Sequence, residues 1–229
     1  METLFNGYTL DIAPGAFPLG TDSMALADFT RLPRQARVLD LGSGCGTLGI
    51  LLCAKDSGCT VTGIELDQTA HETAEKNCRD NNLAGRLKSI CADLNAIAEY
   101  AAPGSFDVCV SNPPYFTAGF LSKSTPLARH EQACSLEGLM QSAAYALKFG
   151  GDFFLVHKPE RLAEIFSAAC AYKLEPKRLC LMRHKEGGPV SLVLIQCRKG
   201  AKPGLQWEDA ALHDKNGETT QYYREIYHI

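Results

Sequence analysis

The sequence predicts an α/β fold: one open, mostly parallel sheet of seven strands with helices on both faces. Three observations carry that expectation. Short apolar runs rich in Val, Ile and Leu alternate with helix-period segments along most of the 229 residues. The first run, Arg37-Val38-Leu39-Asp40-Leu41, feeds a glycine turn, Gly42-Ser43-Gly44-Cys45-Gly46, of the kind that joins a buried strand to a helix in such sheets. A later run, Phe106–Ser111, stops at Asn112-Pro113-Pro114-Tyr115, where two prolines bring no N–H to a ladder.

Taken in order, Arg37–Leu41 is the first strand and Leu48–Ala54 the helix after its turn. Val61–Glu65 forms the second strand. Asp67 caps the next helix, in which Ala70, Ala74 and Cys78 recur at i, i+4 spacing. Leu87–Ala92 and Phe106–Ser111 are the third and fourth strands. The stretch 116–134 is rich in Ser, Thr, Gly and Pro, and an irregular segment of that length belongs to function more often than to packing. A helix over 135–147 follows, and Gly150-Gly151 opens a fifth strand, Asp152–His157. Pro159 suits the first turn of a helix whose Leu162, Ile165, Phe166 and Ala169 share one face. Leu179–Met182 and Val190–Cys197 complete the sheet as an antiparallel pair. No repeat or linker divides the chain, so one domain is expected over 1–229, with extensions at 1–36 and 200–229. The tail aromatics Trp207, Tyr222, Tyr223 and Tyr227 are expected to pack.

Composition sets the outer limits. A hydrophobic share of 45% and a charged share of 21% are those of an ordinary water-soluble protein, and no run approaches a membrane span. The N-terminus lacks a basic segment followed by an apolar one, so a cytoplasmic location is expected. The ten cysteines are scattered without a Cys-x-x-Cys pair, which points to reduced structural thiols and to no metal. Residues 1–115 carry 8 Lys/Arg against 14 Asp/Glu; residues 116–229 carry 15 against 12. The segment 148–202 holds 11 basic residues against 5 acidic, a local basic face compatible with RNA.

The glycine turn is ambiguous by itself, because Gly44-Cys45-Gly46-Thr47-Leu48-Gly49 also fits a dinucleotide fingerprint. Asp40 argues the other way. A carboxylate just ahead of the turn repels a pyrophosphate and attracts an ammonium group, as in an amino-acid moiety. Glu65 with Leu66, at the end of the second strand, suits a ribose diol in either case. Asp93 and Leu94, after the third strand, are placed for the edge and face of an adenine. The turn, with Asp40, Gly42, Ser43, Gly44 and Gly46, resembles the nucleotide turn of class I S-adenosylmethionine-dependent methyltransferases.

Asn112-Pro113-Pro114-Tyr115 narrows the chemistry to a planar amine. The lone pair of such a nitrogen is delocalised, and accepting hydrogen bonds from both N–H groups helps to localise it. The Asn112 side-chain carbonyl and the Pro113 main-chain carbonyl are acceptors of that kind, held stiffly by the two prolines. Tyr115 offers a stacking surface worth about 1–3 kcal/mol against a base. With the glycine turn, this motif resembles the amino-methyltransferases that act on adenine N6, cytosine N4, guanine N2 or glutamine amide nitrogen.

Several further segments look like the bacterial tRNA(Val) adenine-N6 methyltransferase family: Ala128-Arg129-His130-Glu131, Ser135-Leu136-Glu137, Val156-His157-Lys158-Pro159-Glu160-Arg161-Leu162 and Glu175-Pro176-Lys177-Arg178. The resemblance covers most of residues 10–200. It includes Gly20-Thr21-Asp22-Ser23, which is similar to that family's N-terminal cofactor lid. It departs at Cys45 and in the C-terminal tail. It implies a Rossmann-like class I methyltransferase fold, S-adenosyl-L-methionine as cofactor, and adenosine 37 in the anticodon loop of a valine tRNA as substrate. By this reading Arg129 clamps RNA or the loop, the alternative being a purely structural ion pair with Glu131 or Asp22. His130 and His157 are structural, and the protein is a monomer or weak homodimer.

Size adds an argument independent of resemblance. Only 36 residues precede the first strand, too few for a helical protein-recognition domain, and no insertion is long enough to recognise DNA. An unpaired anticodon-loop base is also cheap to extrude. The alternatives are methylation of ribosomal guanine N2 or of a protein glutamine, a non-catalytic cofactor-binding RNA module and, more remotely, an NAD(P)-dependent oxidoreductase.

Overall fold

The computed structural model describes residues 2–4, 7–114 and 135–229. Tyr115 and the stretch 116–134, with Arg129, His130 and Cys134, lie outside the described residues. Two short strands, β1 (Glu2–Thr3) and β2 (Thr9–Leu10), pair antiparallel ahead of helix α1 (Thr21–Phe29). The main sheet begins with β3 (Arg37–Leu41), helix α2 (Thr47–Lys55) and β4 (Thr60–Glu65). Helix α3 (Gln68–Asp80) starts where Asp67 Oδ1 accepts the Ala70 amide at 2.8 Å, as its side chain suggested. Then come β5 (Leu87–Cys91), a 3₁₀ segment (Leu94–Glu99) and β6 (Phe106–Ser111).

When the described chain resumes, Ser135 caps helix α4 (Leu136–Ala146), and β7 (Leu147–His157) follows without a break. The sequence placed the start of this strand at Asp152. Gly150 sits at φ +80° and the register with β6 shifts between Phe106 and Val108, so a bulge hides the strand's first turn of chain. Pro159–Arg161 forms a 3₁₀ turn into α5 (Leu162–Ala171). The antiparallel pair β8 (Leu174–Lys185) and β9 (Val190–Lys199) is as expected, though β8 is longer. β10 (Gln206–His213) and helix α6 (Gln221–Tyr227) end the chain.

The sheet has eight strands in the order β5-β4-β3-β6-β7-β9-β8-β10, one more than the sequence suggested. The extra strand is the C-terminal extension. Its pattern, Gln-Trp-Glu-Asp-Ala-Ala-Leu-His, alternates poorly because most of it lies at an exposed sheet edge. It nonetheless pairs parallel with β8 over seven register partners. Trp207 is 74% exposed, correcting the expectation that it packs. Tyr222, Tyr223 and Tyr227 do pack, against the same core as Leu212 and Ile226.

Two apolar layers cover the sheet, and the strands alternate strictly between them. Val38, Val108, Val110, Phe154, Val156, Leu192 and Leu194 face the layer of α1, α2 and α6. Their neighbours Leu39, Cys109, Phe153, Leu155, Val193 and Ile195 face the layer of α4 and α5. Burial on both sides explains why these strands read as nearly continuous apolar runs. The nine described cysteines are all free thiols, seven of them buried. No helix among the described residues is long and apolar enough to cross a membrane.

Topology also divides the basic residues. β7, β8 and β10 run parallel to β6, so Lys158, Arg161, Arg183 and Lys185 gather at the edge where Asn112 lies. Lys148, Lys173, Lys177, Arg198, Lys199 and Lys202 sit at the opposite edge. The segment 148–202 therefore makes two separate patches, whereas its sequence suggested one basic face. Spacing along a chain does not reveal which strands reverse.

Candidate functional site

The chain leaves β3 for β4 and β5, then returns to place β6 on the other side of β3. Strand order reverses between β3 and β6, and a crevice at the C-terminal ends of strands is expected there. A cavity of about 380 Å³ occupies that position. Registers bring its walls together: Leu41 is opposite Ile64, Ile64 opposite Ile90, and Asp40 opposite Val110, two residues before Asn112.

The glycine turn forms the floor. The Gly42 and Ser43 amides donate to the Ile64 carbonyl at 2.9 and 3.0 Å, tying the turn to the end of β4. Gly44 and Gly46 adopt φ of +54° and +82°, values that side-chain-bearing residues reach only with strain. Gly46 does not border the cavity. It starts α2, and a Cβ there would lie 3.3 Å from the Ala74 Cβ, so its part is the turn and its packing. Gly63 matters equally: a Cβ on it would stand 2.5 Å from the Ser43 Oγ.

The acidic groups differ in how they are satisfied. Glu65 Oε2 accepts the Gly44 amide and Oε1 the Asp67 amide, both at 2.7 Å. A carboxylate has about four lone-pair sites, so each oxygen can still take a hydroxyl. Asp93 Oδ1 accepts from the Asn95 amide and side chain, each at 2.8 Å, which fixes the carboxylate at the rim. Asp40 stands apart. It is 1% exposed, and among the described residues its Oδ1 has no hydrogen-bond partner; neither has Ser43 Oγ. Burial first, and the nearby Glu65 charge second, push the Asp40 pKa up to about 8. An unmatched carboxylate in a cavity wall is costly unless a donor, best a cation, arrives to meet it.

Asn112, Pro113 and Pro114 form the far wall, and Ser111 Oγ donates to the Leu41 carbonyl at 2.7 Å to lock β6 against β3. The Asn112 amide nitrogen donates to Ser23 Oγ at 3.0 Å. Of the residues expected to hold a ligand, Asp40, Gly42, Ser43, Gly44, Glu65, Leu66, Asp93, Leu94 and Asn112 all border this one cavity. Tyr115 and Arg129 are outside the described residues. His157 is 2% exposed, and its Nδ1 accepts the Lys158 amide at 2.8 Å, the arrangement of a structural ring. Its burial lowers its pKa.

The N-terminal wall extends beyond the Gly20–Ser23 stretch that the resemblance implies. Ala13–Pro18 closes one side of the cavity, with Asp22 and Ser23 beside it. The Ala13 amide donates to Cys45 Sγ at 3.3 Å, which gives the unusual turn residue a role. Asn77 receives the Asp11 amide at 2.8 Å and donates to the Asp11 and Cys45 carbonyls at 2.9 Å. Asn81 grips Thr9 in the same way, at 2.7 Å to both its amide and its carbonyl. Two buried asparagines four apart, Asn77 on α3 and Asn81 at its C-cap, are the signal the sequence offers.

Such a cavity can hold an ammonium at Asp40, a diol at Glu65 and a flat ring near Asp93 and Leu94, with the carbonyls of the Asn112 segment beyond. Residues 19–167 match the family model described as the methyltransferase small domain. A Photobacterium profundum protein named tRNA1(Val) (adenine(37)-N6)-methyltransferase is 26% identical, over 95% of this chain and 93% of its own. One of the same name from Tolumonas auensis is 30% identical, over 83% and 80%. Among solved structures, one described as a predicted O-methyltransferase from Agrobacterium tumefaciens superposes with a TM-score of 0.76 at 23% identity. It covers 91% of this chain and 96% of its own, and it speaks to the fold alone.

Proposed function

The chain belongs to the methyltransferase small domain family, and we propose that it is a tRNA adenine-N6 methyltransferase using S-adenosyl-L-methionine. The relatives' name supports adenosine 37 of a valine tRNA as the target. One observation carries the reading: a single cavity joins Asp40, whose buried Oδ1 has no hydrogen-bond partner among the described residues, to the Asn112-Pro113-Pro114 segment. The two ends of that cavity suit the two partners of one reaction.

The residues present fit the cofactor. Asp40 and Ser43 would meet its amino-acid end, Glu65 and Leu66 its ribose, and Asp93 and Leu94 its adenine, with Gly42 and Gly44 letting main chain approach. When bound, S-adenosylmethionine supplies an electrophilic methyl group and leaves as S-adenosylhomocysteine. The Asn112 and Pro113 carbonyls accept the two N–H groups of the target amine, turn its lone pair out of conjugation, and aim it. Tyr115 follows directly and would stack on the base. No strong base is needed, because the proton leaves after the nitrogen has become cationic; positioning provides most of the rate. The enzyme would act in the cytoplasm as a monomer or weak homodimer.

The test is incubation with labelled cofactor and total tRNA, followed by nucleoside analysis. N6-methyladenosine is the expected product, and Asn112→Ala should cut its formation at least about a hundredfold. Wild-type protein that yields no N6-methyladenosine would refute the substrate. N2-methylguanosine in its place would transfer the chemistry to another amine.

A further inference from the structure

Helix α1 carries a hydroxyl into the wall that holds the target amine. Ser23, in the first turn of α1, is 6% exposed, borders the cavity, and receives the Asn112 side-chain nitrogen at 3.0 Å across 89 residues of sequence. A carboxamide is planar and two-ended. Tying its nitrogen to Ser23 therefore also fixes where its oxygen points. Turned by 180°, the same amide fills nearly the same volume but would present N–H groups to the N–H groups of an incoming amine. Shape would be kept and reactivity lost.

The first turn of α1 is anchored in its turn by the C-terminal helix. Thr21 Oγ1 and Tyr227 Oη share a hydrogen bond of 2.6 Å across 206 residues. The Ser23 amide is met by Asp22 Oδ1 at 2.8 Å. The hydroxyl thus stands on a braced element, with packing between α1 and α6 behind it.

We propose that Ser23 is a positioning residue: by holding the Asn112 amide nitrogen, it sets the orientation in which the Asn112 carbonyl accepts the target amine. This rests on the methyl-transfer reading above. The consequence is a split between turnover and binding. Removing one neutral hydrogen bond of this kind, in Ser23→Ala, lowers kcat about fivefold. The dissociation constant for S-adenosylmethionine and the KM for tRNA stay within about twofold. Ser23→Thr keeps the hydroxyl and restores the rate.

The experiment measures those constants for wild type, Ser23→Ala and Ser23→Thr. It also records the Asn112 side-chain amide resonances in ¹⁵N-labelled protein, assigned by their loss in Asn112→Ala. The expected result is a displaced Asn112 amide pair and a lowered kcat in Ser23→Ala, both restored in Ser23→Thr. An unmoved amide pair overturns the proposal. So does a kcat loss matched by an equal loss of cofactor affinity, since Ser23 would then be only part of the wall. Wild-type protein inactive on tRNA would overturn the functional reading instead. The amide resonances would still decide whether Ser23 orients Asn112.

Discussion

The two ends of the chain are both docked onto the sheet, but by different means. The N-terminal segment 9–18 buries Leu10 and Ala13, but its main chain is tied to the cavity side of the sheet by single side chains: Asn81 at Thr9, Asn77 at Asp11, Cys45 at Ala13. The C-terminal segment 206–227 is held by main-chain pairing with β8 and by buried Leu212 and Ile226. Main-chain pairing is indifferent to most substitutions. An asparagine that imitates a strand partner is not, because no other residue offers one donor and one acceptor at that reach. The first end also walls the cavity, whereas the second touches it only through α1. The fragile attachment lies where the ligand binds, and the robust one supports the frame.

Substitutions can break or sharpen this contrast. The largest effect is expected at the robust end. Ile226→Ala removes a side chain that is 1% exposed and should cost about 2–4 kcal/mol in denaturant unfolding, with cofactor affinity in the folded protein unchanged. Asn77→Ala should cost less, about 1–3 kcal/mol, by stranding the Asp11 and Cys45 main-chain groups, yet weaken cofactor binding measured by calorimetry. If Ile226→Ala weakened binding more than Asn77→Ala did, the division of labour between the two ends would be wrong.

The smallest effect is a pH dependence. Asp40 titrates near pH 8 in the folded chain, above its unfolded value, so the free protein loses stability as pH rises from about 4 through 8. Cofactor binding needs the ionised form to meet an ammonium, so affinity should rise about tenfold per unit between pH 6 and 7, the equivalent of ~1.4 kcal/mol. It should then fall above pH 8 as the ligand's own amine deprotonates. Loosening the N-terminal wall by Asn77→Ala lets water reach Asp40 and should flatten this profile, while Ile226→Ala should leave it intact. A flat profile in wild type would mean that Asp40 is already ionised.

Much of the cavity was legible because its residues follow strands directly. Asp40, Glu65, Asp93 and Asn112 each lie at or just past the end of a run of Val, Ile, Leu or Cys, and parallel topology brings such ends together. The walls with no mark in the local sequence depend on contacts made far along the chain. Ala13 meets Cys45, and Asp11 meets Asn77, through polar side chains that resemble a solvated helix face when seen in one dimension. β10 escaped for a related reason: an edge strand buries few residues, so its pattern carries little period. The bulge at Gly150 looked like a strand start for want of any view of its partner.

The partition of basic residues between the two sheet edges has a consequence in the ionic atmosphere of the substrate. On the proposed reading, an RNA at the Asn112 edge would meet Lys158, Arg161, Arg183 and Lys185 of this segment, not all eleven cations of 148–202. Arg161 is already paired with Glu164, and Arg183 with Asp209 at 3.0 Å. The counterions released on binding number with the phosphates contacted. Under the proposed function a complex formed here would shed fewer counterions than all eleven basic residues of 148–202 would release, so its affinity would fall less steeply with salt than that segment's charge suggests.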